Sequence, residues 1–133
     1  MRALFLSPHP DDAELFCGGT VAALAERGEV ILADMTRGEM SSNGTIEGRA
    51  MEAAEAARTL GVVEPRVQLG LPDAALDVRD QAQTDAVVEL IRRLVPDLVF
   101  APWPVDRHPD HVATGEIARR SVAIAAGPSR LLF

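Results

Sequence analysis

The chain has 133 residues, 47% of them hydrophobic, a formal net charge of −7 and a single cysteine, Cys17. That length and composition fit one globular domain with a real core. The acidic balance, with no basic face evident, excludes an ordinary nucleic-acid binder; the lone cysteine excludes an intramolecular disulfide and fits a reducing cytoplasm.

Residues 3–6 read as a short buried strand. Pro8, His9 and Asp11 end the apolar run too early for a signal peptide, and no later stretch approaches membrane-spanning length. Residues 14–27 carry helical spacing and stop at Gly28. Residues 30–33 form a second strand, and residues 45–60 an alanine-rich helix that stops at Gly61. Residues 66–69 read as a third strand, residues 81–94 as a helix stopped by Pro96, and residues 98–101 as a fourth strand. A helix over 109–126 precedes Gly127 and Pro128, and residues 131–133 begin a fifth, buried strand. Strand–helix alternation of this kind predicts an α/β fold: a Rossmann-like three-layer sandwich with a mostly parallel sheet. All thirteen basic residues are arginine, so no Schiff base, pyridoxal anchor or phosphate-loop lysine can be built.

All three histidines fall in two acidic clusters. His9 lies in SPHPDDAE, residues 7–14; His108 and His111 lie in DRHPDH, residues 106–111. Imidazole and carboxylate together suit Zn²⁺ and related divalent transition ions. Each cluster follows a strand and opens a helix, which places it on the carboxyl edge of a parallel sheet, where ligands bind. The two meet if the first and fourth strands lie side by side, and the loops over 36–45 and 71–79 open on the same rim. Adjacent aspartates at 11 and 12 allow one to bind metal while the other faces the reacting water. The spacing of His108 and His111 lets one ring coordinate and the other face the ligand, with Asp110 able to fix a tautomer. Either cluster alone could be a turn with an Asp cap; their joint placement points to function. Glu14 reads as a helix cap in a capping box with Asp11. Cys17 reads as a small buried residue, with metal ligation the lesser alternative, and Trp103 as loop packing in preference to lining the pocket. Gly18 and Gly19 each cost about 1 kcal/mol inside a helix, which predicts close packing against the sheet.

The segment SPHPDDAELFCGGT, residues 7–20, resembles the first motif of the LmbE/PIG-L family of zinc-dependent de-N-acetylases, and DRHPDH resembles its second. TRGEMSSNGTIEGR, residues 36–49, and the Leu71-Pro72-Asp73 segment look like the branch containing the bacillithiol-pathway N-acetylglucosaminyl-malate deacetylases. The resemblance spans essentially the whole chain and implies one such domain over 1–133. It implies His9, Asp12 and His111 as ligands of Zn²⁺, with another divalent transition metal also admissible. It implies Asp11 as general base, His108 as oxyanion stabiliser, Asp110 as the group orienting His108, and Arg49 and Asp73 as holders of the sugar hydroxyls. The implied substrate is a small amino-sugar conjugate, the implied setting cytoplasmic, and the implied full-length form a homo-oligomer. Family domains continue well past a strand resembling residues 130–133, so the resemblance also implies a domain lacking its C-terminal part.

Two other functions compete with a metal-dependent amidase. A sugar- or metal-binding module without catalysis would not require both Asp11 and His108. A nucleotide binder would need a glycine-rich turn after the first strand, where this chain has carboxylates.

Overall fold

Leu4 and Leu6 join one hydrophobic cluster and Ala3 and Phe5 another, as the two-residue period of a strand requires. They belong to β1 (Arg2–Ser7), whose neighbour β2 (Glu29–Asp34) divides the same way. The computed structural model describes residues 1–133. Its other strands are β3 (Val67–Gln68), β4 (Leu98–Phe100) and β5 (Arg130–Leu132), and the helices are α1 (Asp12–Ala25), α2 (Ile46–Thr59), α3 (Gln81–Leu94) and α4 (Pro109–Ala125). All five strands pair in parallel in the order β3-β2-β1-β4-β5. The fold is the expected α/β arrangement.

Helices α3 and α4 cover one face through Val87, Leu90, Ile91, Ala113, Ile117 and Ala118. The opposite face is covered by Ala13 and Val21 of α1 and Ala57 of α2. Thr45 caps α2 by accepting from the Gly48 N–H, and Asp80 caps α3 by accepting from the Ala82 N–H. The β1–β4 register, Ala3 against Leu98 through Phe5 against Phe100, sets the entrances of α1 and α4 on one rim. No helix is long and apolar enough to cross a membrane.

Three expectations need correction. The last strand is Arg130–Leu132 rather than 131–133, and it is not buried: Leu132 is 36% and Phe133 49% exposed. The α1–α2 layer does not extend over this edge, so only Leu131 packs on the α3–α4 side. Gly18 and Gly19 are not sites of tight packing either. A side chain at Gly18 would meet only Leu60 methyls at 3.8 Å, and at Gly19 nothing within 4 Å. Nothing in the structure explains glycine at 19. Finally, α1 is broken rather than continuous, with Cys17 at φ −136°, ψ 21°.

A glycine that packing does require near the rim is Gly115. A Cβ there would lie 2.4 Å from the Pro102 carbonyl oxygen, because α4 presses on the loop that precedes its own start. Gly115→Ala is expected to lose about 1–3 kcal/mol, the usual cost of overpacking. Urea unfolding of the variant measures it, and an unchanged midpoint would show that the loop yields freely.

Candidate active site

His9 stands at the centre of the rim. Its Nδ1 is 3.2 Å from Asp12 Oδ2, and its Nε2 is 3.2 Å from both Asp110 Oδ2 and Asp73 Oδ1. Backbone geometry prepares this: the His9 N–H donates to Asp12 Oδ2 at 2.9 Å, closing the loop between β1 and α1. Burial alone would lower the His9 pKa. The Asp12 hydrogen bond and charge, the Asp110 hydrogen bond and the Asp73 charge outweigh it and raise the ring to about 9. The same carboxylates favour a cation at this position, and a metal bound by His9 would compete with a ring proton.

His111, in the first turn of α4, reaches across to α1. Its Nε2 is 3.4 Å from Asp12 Oδ1 and its Nδ1 is 3.4 Å from Asp106 Oδ2. Two overlapping groups result, His9–Asp12–His111 and His9–His108–Asp110, each with candidate ligand atoms within 4.8 Å of one another. Neighbouring ligand atoms around tetrahedral zinc lie roughly 3.4 Å apart given bonds of about 2.0–2.1 Å, the spacing of the His111–Asp12 contact. Mixed imidazole and carboxylate donors at that spacing fit a divalent transition ion.

Asp11 precedes this set. Its side chain makes no capping bond, against the expected capping box, and is approached only by Arg49 Nη2 at 3.4 Å. Glu14 does not cap either: its carboxylate meets the Arg66 guanidinium beside the sheet. Arg49 reaches Asp11 from α2 by lying over Gly38, whose φ is +66° and where a Cβ would come within 2.9 Å of the guanidinium carbon. The positive φ is what calls for glycine at 38; a side chain there would in addition have to displace the Arg49 guanidinium.

His108 is exposed and caps α4. Its Nδ1 accepts from the Asp110 backbone N–H at 3.2 Å, which assigns the proton of the neutral ring to Nε2. The Asp110 carboxylate, expected to orient His108, instead accepts from the Ala74 and Leu76 N–H groups at 2.9 and 3.2 Å and contacts His9. What orients His108 is the Asp110 main chain. Asp73, expected at sugar hydroxyls, is turned inward; its Oδ2 accepts from the Met40 N–H at 2.7 Å while Oδ1 faces His9. It thereby joins the loops after β2 and β3 to the rim.

Two contributors have no role assigned from the sequence. Asp106 accepts from the His108 N–H at 2.9 Å and stands beside His111; that backbone bond holds its carboxyl below the usual range. Thr36, fully buried, donates to the Pro8 carbonyl at 2.9 Å and so anchors the His9 loop. Each opens a segment that the sequence singles out, Asp106 the 106–111 cluster and Thr36 the 36–49 loop, and that position is the sequence signal they carry. Beside the cluster, a cavity of about 410 Å³ runs down between α1 and β4 past Asp12, His111, Cys17 and Phe100. Trp103 lines it, edge-on to Phe133 and 60% exposed, rather than packing the loop. Cys17 is half-buried on its wall, not a buried filler, and burial with the charges of Asp12 and Glu14 pushes its thiol up.

An open parallel sheet with histidines and carboxylates converging on its carboxyl edge defines an α/β domain with a metal-ligand type of site. The chain belongs to the PIG-L family: the family model for GlcNAc-PI de-N-acetylase matches residues 4–122. It is 30% identical to the diacetylchitobiose deacetylase of Thermococcus kodakarensis, over 96% of this chain and 51% of that protein. It is 31% identical to the probable N-acetyl-alpha-D-glucosaminyl L-malate deacetylase 2 of Bacillus cereus, over 92% of this chain and 61% of that protein. The crystal structure of the conserved protein TT1542 from Thermus thermophilus superposes with a TM-score of 0.86 at 45% identity, over 96% of this chain and 59% of that one. The chain thus spans between about half and three fifths of the length of these proteins.

Proposed function

We propose that this chain carries the catalytic rim of a metal-dependent N-deacetylase that removes the acetyl group from a small N-acetylglucosamine conjugate, such as N-acetylglucosaminyl-malate, in the cytoplasm. The observation that carries the reading is the grouping of His9, Asp12 and His111 ligand atoms within 4.8 Å of one another, with the uncommitted Asp11 carboxylate next in sequence. These three residues would hold the ion, with Zn²⁺ the first candidate. When bound, it would supply Lewis-acid polarisation and a more acidic water.

The remaining chemistry belongs to the chain. Asp11 takes the proton of the attacking water and returns it to the nitrogen as the C–N bond breaks, giving acetate and a free amine. His108 presents Nε2–H to the oxygen of the attacked carbonyl, a fixed donor where negative charge develops. Asp110 supports both, holding His9 with its carboxylate and His108 with its main chain. Arg49, already beside Asp11, can orient a sugar hydroxyl. Asp73 contributes by setting the Met40 loop that borders the same opening.

The test is primary-amine release from N-acetylglucosaminyl-malate, diacetylchitobiose and N-acetylglucosamine, run with metal-stripped protein and with Zn²⁺ or Co²⁺ restored. Metal-dependent release from at least one conjugate is expected. Metal binding without release from any would leave a binding module in place of an enzyme.

A further inference from the structure

The first turn of α1 carries Asp12 and follows Asp11; its Leu15 N–H to Asp11 carbonyl bond is regular at 3.0 Å, but the turn lacks a side-chain cap. Asp11 makes no side-chain cap, and the helix leaves regular geometry at Cys17. The Asp12 N–H to His9 carbonyl bond is long, at 3.4 Å. The bearing of the turn is fixed in addition by side chains on two sides. At 3.6 residues per turn, positions 12 and 14 project roughly 200° apart. Asp12 faces His9 and His111. Glu14 faces the sheet and meets Arg66, at 3.2 Å from Oε2 to Nη2 and with a second bond from Nη1 to Oε1.

The same guanidinium forks onto Asp34, the last residue of β2, with Nε–Oδ2 at 2.6 Å and Nη2–Oδ1 at 2.8 Å. The side chains of Arg66, Glu14 and Asp34 are 11%, 13% and 1% exposed. One planar group therefore ties the α1 first turn to the end of β2 and the start of β3. A rigid fork sets direction as well as distance, which a lysine ammonium would not.

We propose that Arg66 is a positioning residue for the metal site: by holding Glu14 against Asp34 it sets the bearing of the first turn of α1, and with it the Asp12 carboxylate. The inference rests on the metal role proposed for His9, Asp12 and His111. Arg66 touches none of these groups and acts through Glu14. A merely structural triad would affect stability and leave metal affinity alone.

Cobalt binding separates the two. Co²⁺ is titrated against a competing chelator, and its visible spectrum recorded, for the unaltered chain, Glu14→Gln, Arg66→Lys and His111→Ala. Glu14→Gln keeps the Arg66–Asp34 pair and the side-chain shape, so it retains the fold; Arg66→Lys keeps the charge and is the second probe. Both are expected to bind Co²⁺ about 10–100-fold more weakly, the usual consequence of disturbing the support of a ligand, with altered visible bands. Unaltered affinity and spectrum in both variants, with binding abolished in His111→Ala, would overturn the positioning role and spare the metal site. Absence of Co²⁺ binding by the unaltered chain, or binding indifferent to His111→Ala, would overturn the metal site and this inference together.

Discussion

Asp11→Asn is expected to keep its metal and to deacetylate about 10²–10⁴-fold more slowly, the usual contribution of a general acid–base group. The substitution preserves shape and removes only the capacity to take a proton. Little else depends on this carboxylate: it is exposed, it does not cap α1, and Arg49 at 3.4 Å is its single side-chain contact. Stability should therefore hardly change. His111→Ala has the opposite signature. It removes one of the three proposed ligands while leaving Asp11 untouched, so affinity for Zn²⁺ or Co²⁺ should fall first and activity follow, recoverable in part at high metal concentration. Equilibrium metal binding and single-turnover amine release on both variants check this. Near-normal turnover by Asp11→Asn would assign the proton transfer to another group, and loss of metal by that variant would make Asp11 a ligand.

Arg66→Met should cost about 3–5 kcal/mol of stability at pH 7.5, the range for breaking a buried ion pair by removing one partner. Asp34 and Glu14 would then share a dry site with no counter-charge. Since small domains hold only about 5–15 kcal/mol in total, the variant would be marginal at growth temperature. The loss should depend on pH. Burial pushes Asp34 up to about 6 even with the Arg66 fork pulling it down. A carboxyl whose folded pKa lies above its unfolded value binds the proton more tightly when folded. Its contribution is full below the unfolded value, near 4, and is lost as pH rises through the folded value. Without Arg66 nothing opposes burial, so the folded value climbs further and the window widens upward. Urea unfolding at pH 7.5 and 5.0 should show the deficit of Arg66→Met shrinking at the lower pH. A deficit below about 1 kcal/mol, or one that grows on acidification, would show that the triad is effectively solvated.

Much of this molecule is legible in its residues. The elements lie within two or three residues of where apolar runs and helix stops place them, and Gln81–Leu94 falls where expected. That helix has a clear apolar stripe, an Asp cap and a proline beyond its end, so local and global preferences agree. The histidine clusters are legible for a similar reason. Each candidate ligand loop is local, and its residue types stand out against a background without other histidines. The helix over Asp12–Ala25 is where local signals mislead. Asp11 and Glu14 have capping-box spacing, but Glu14 is drawn to Arg66, 52 residues away, because a buried guanidinium needs carboxylates more than an exposed helix end needs a cap. The burial of the last strand is illegible for a related reason: whether an apolar strand is covered depends on layers that other parts of the chain supply.

By itself, then, the sequence determined the class of fold, the loops that carry the candidate site, and the residue types available there, because these follow from periodicity and from motifs a few residues long. Only the tertiary structure decided who faces whom. Placing β1 beside β4 brought His9 within reach of Asp110 and His111 within reach of Asp12. Folding the loop at 73–76 over the rim gave the Asp110 carboxylate two backbone donors and turned Asp73 inward. Packing at the end of β2 recruited Arg66 to Asp34 and Glu14. These pairings join residues from 32 to 101 positions apart, where no spacing rule operates. They are set by which buried charges can satisfy one another once the sheet has formed.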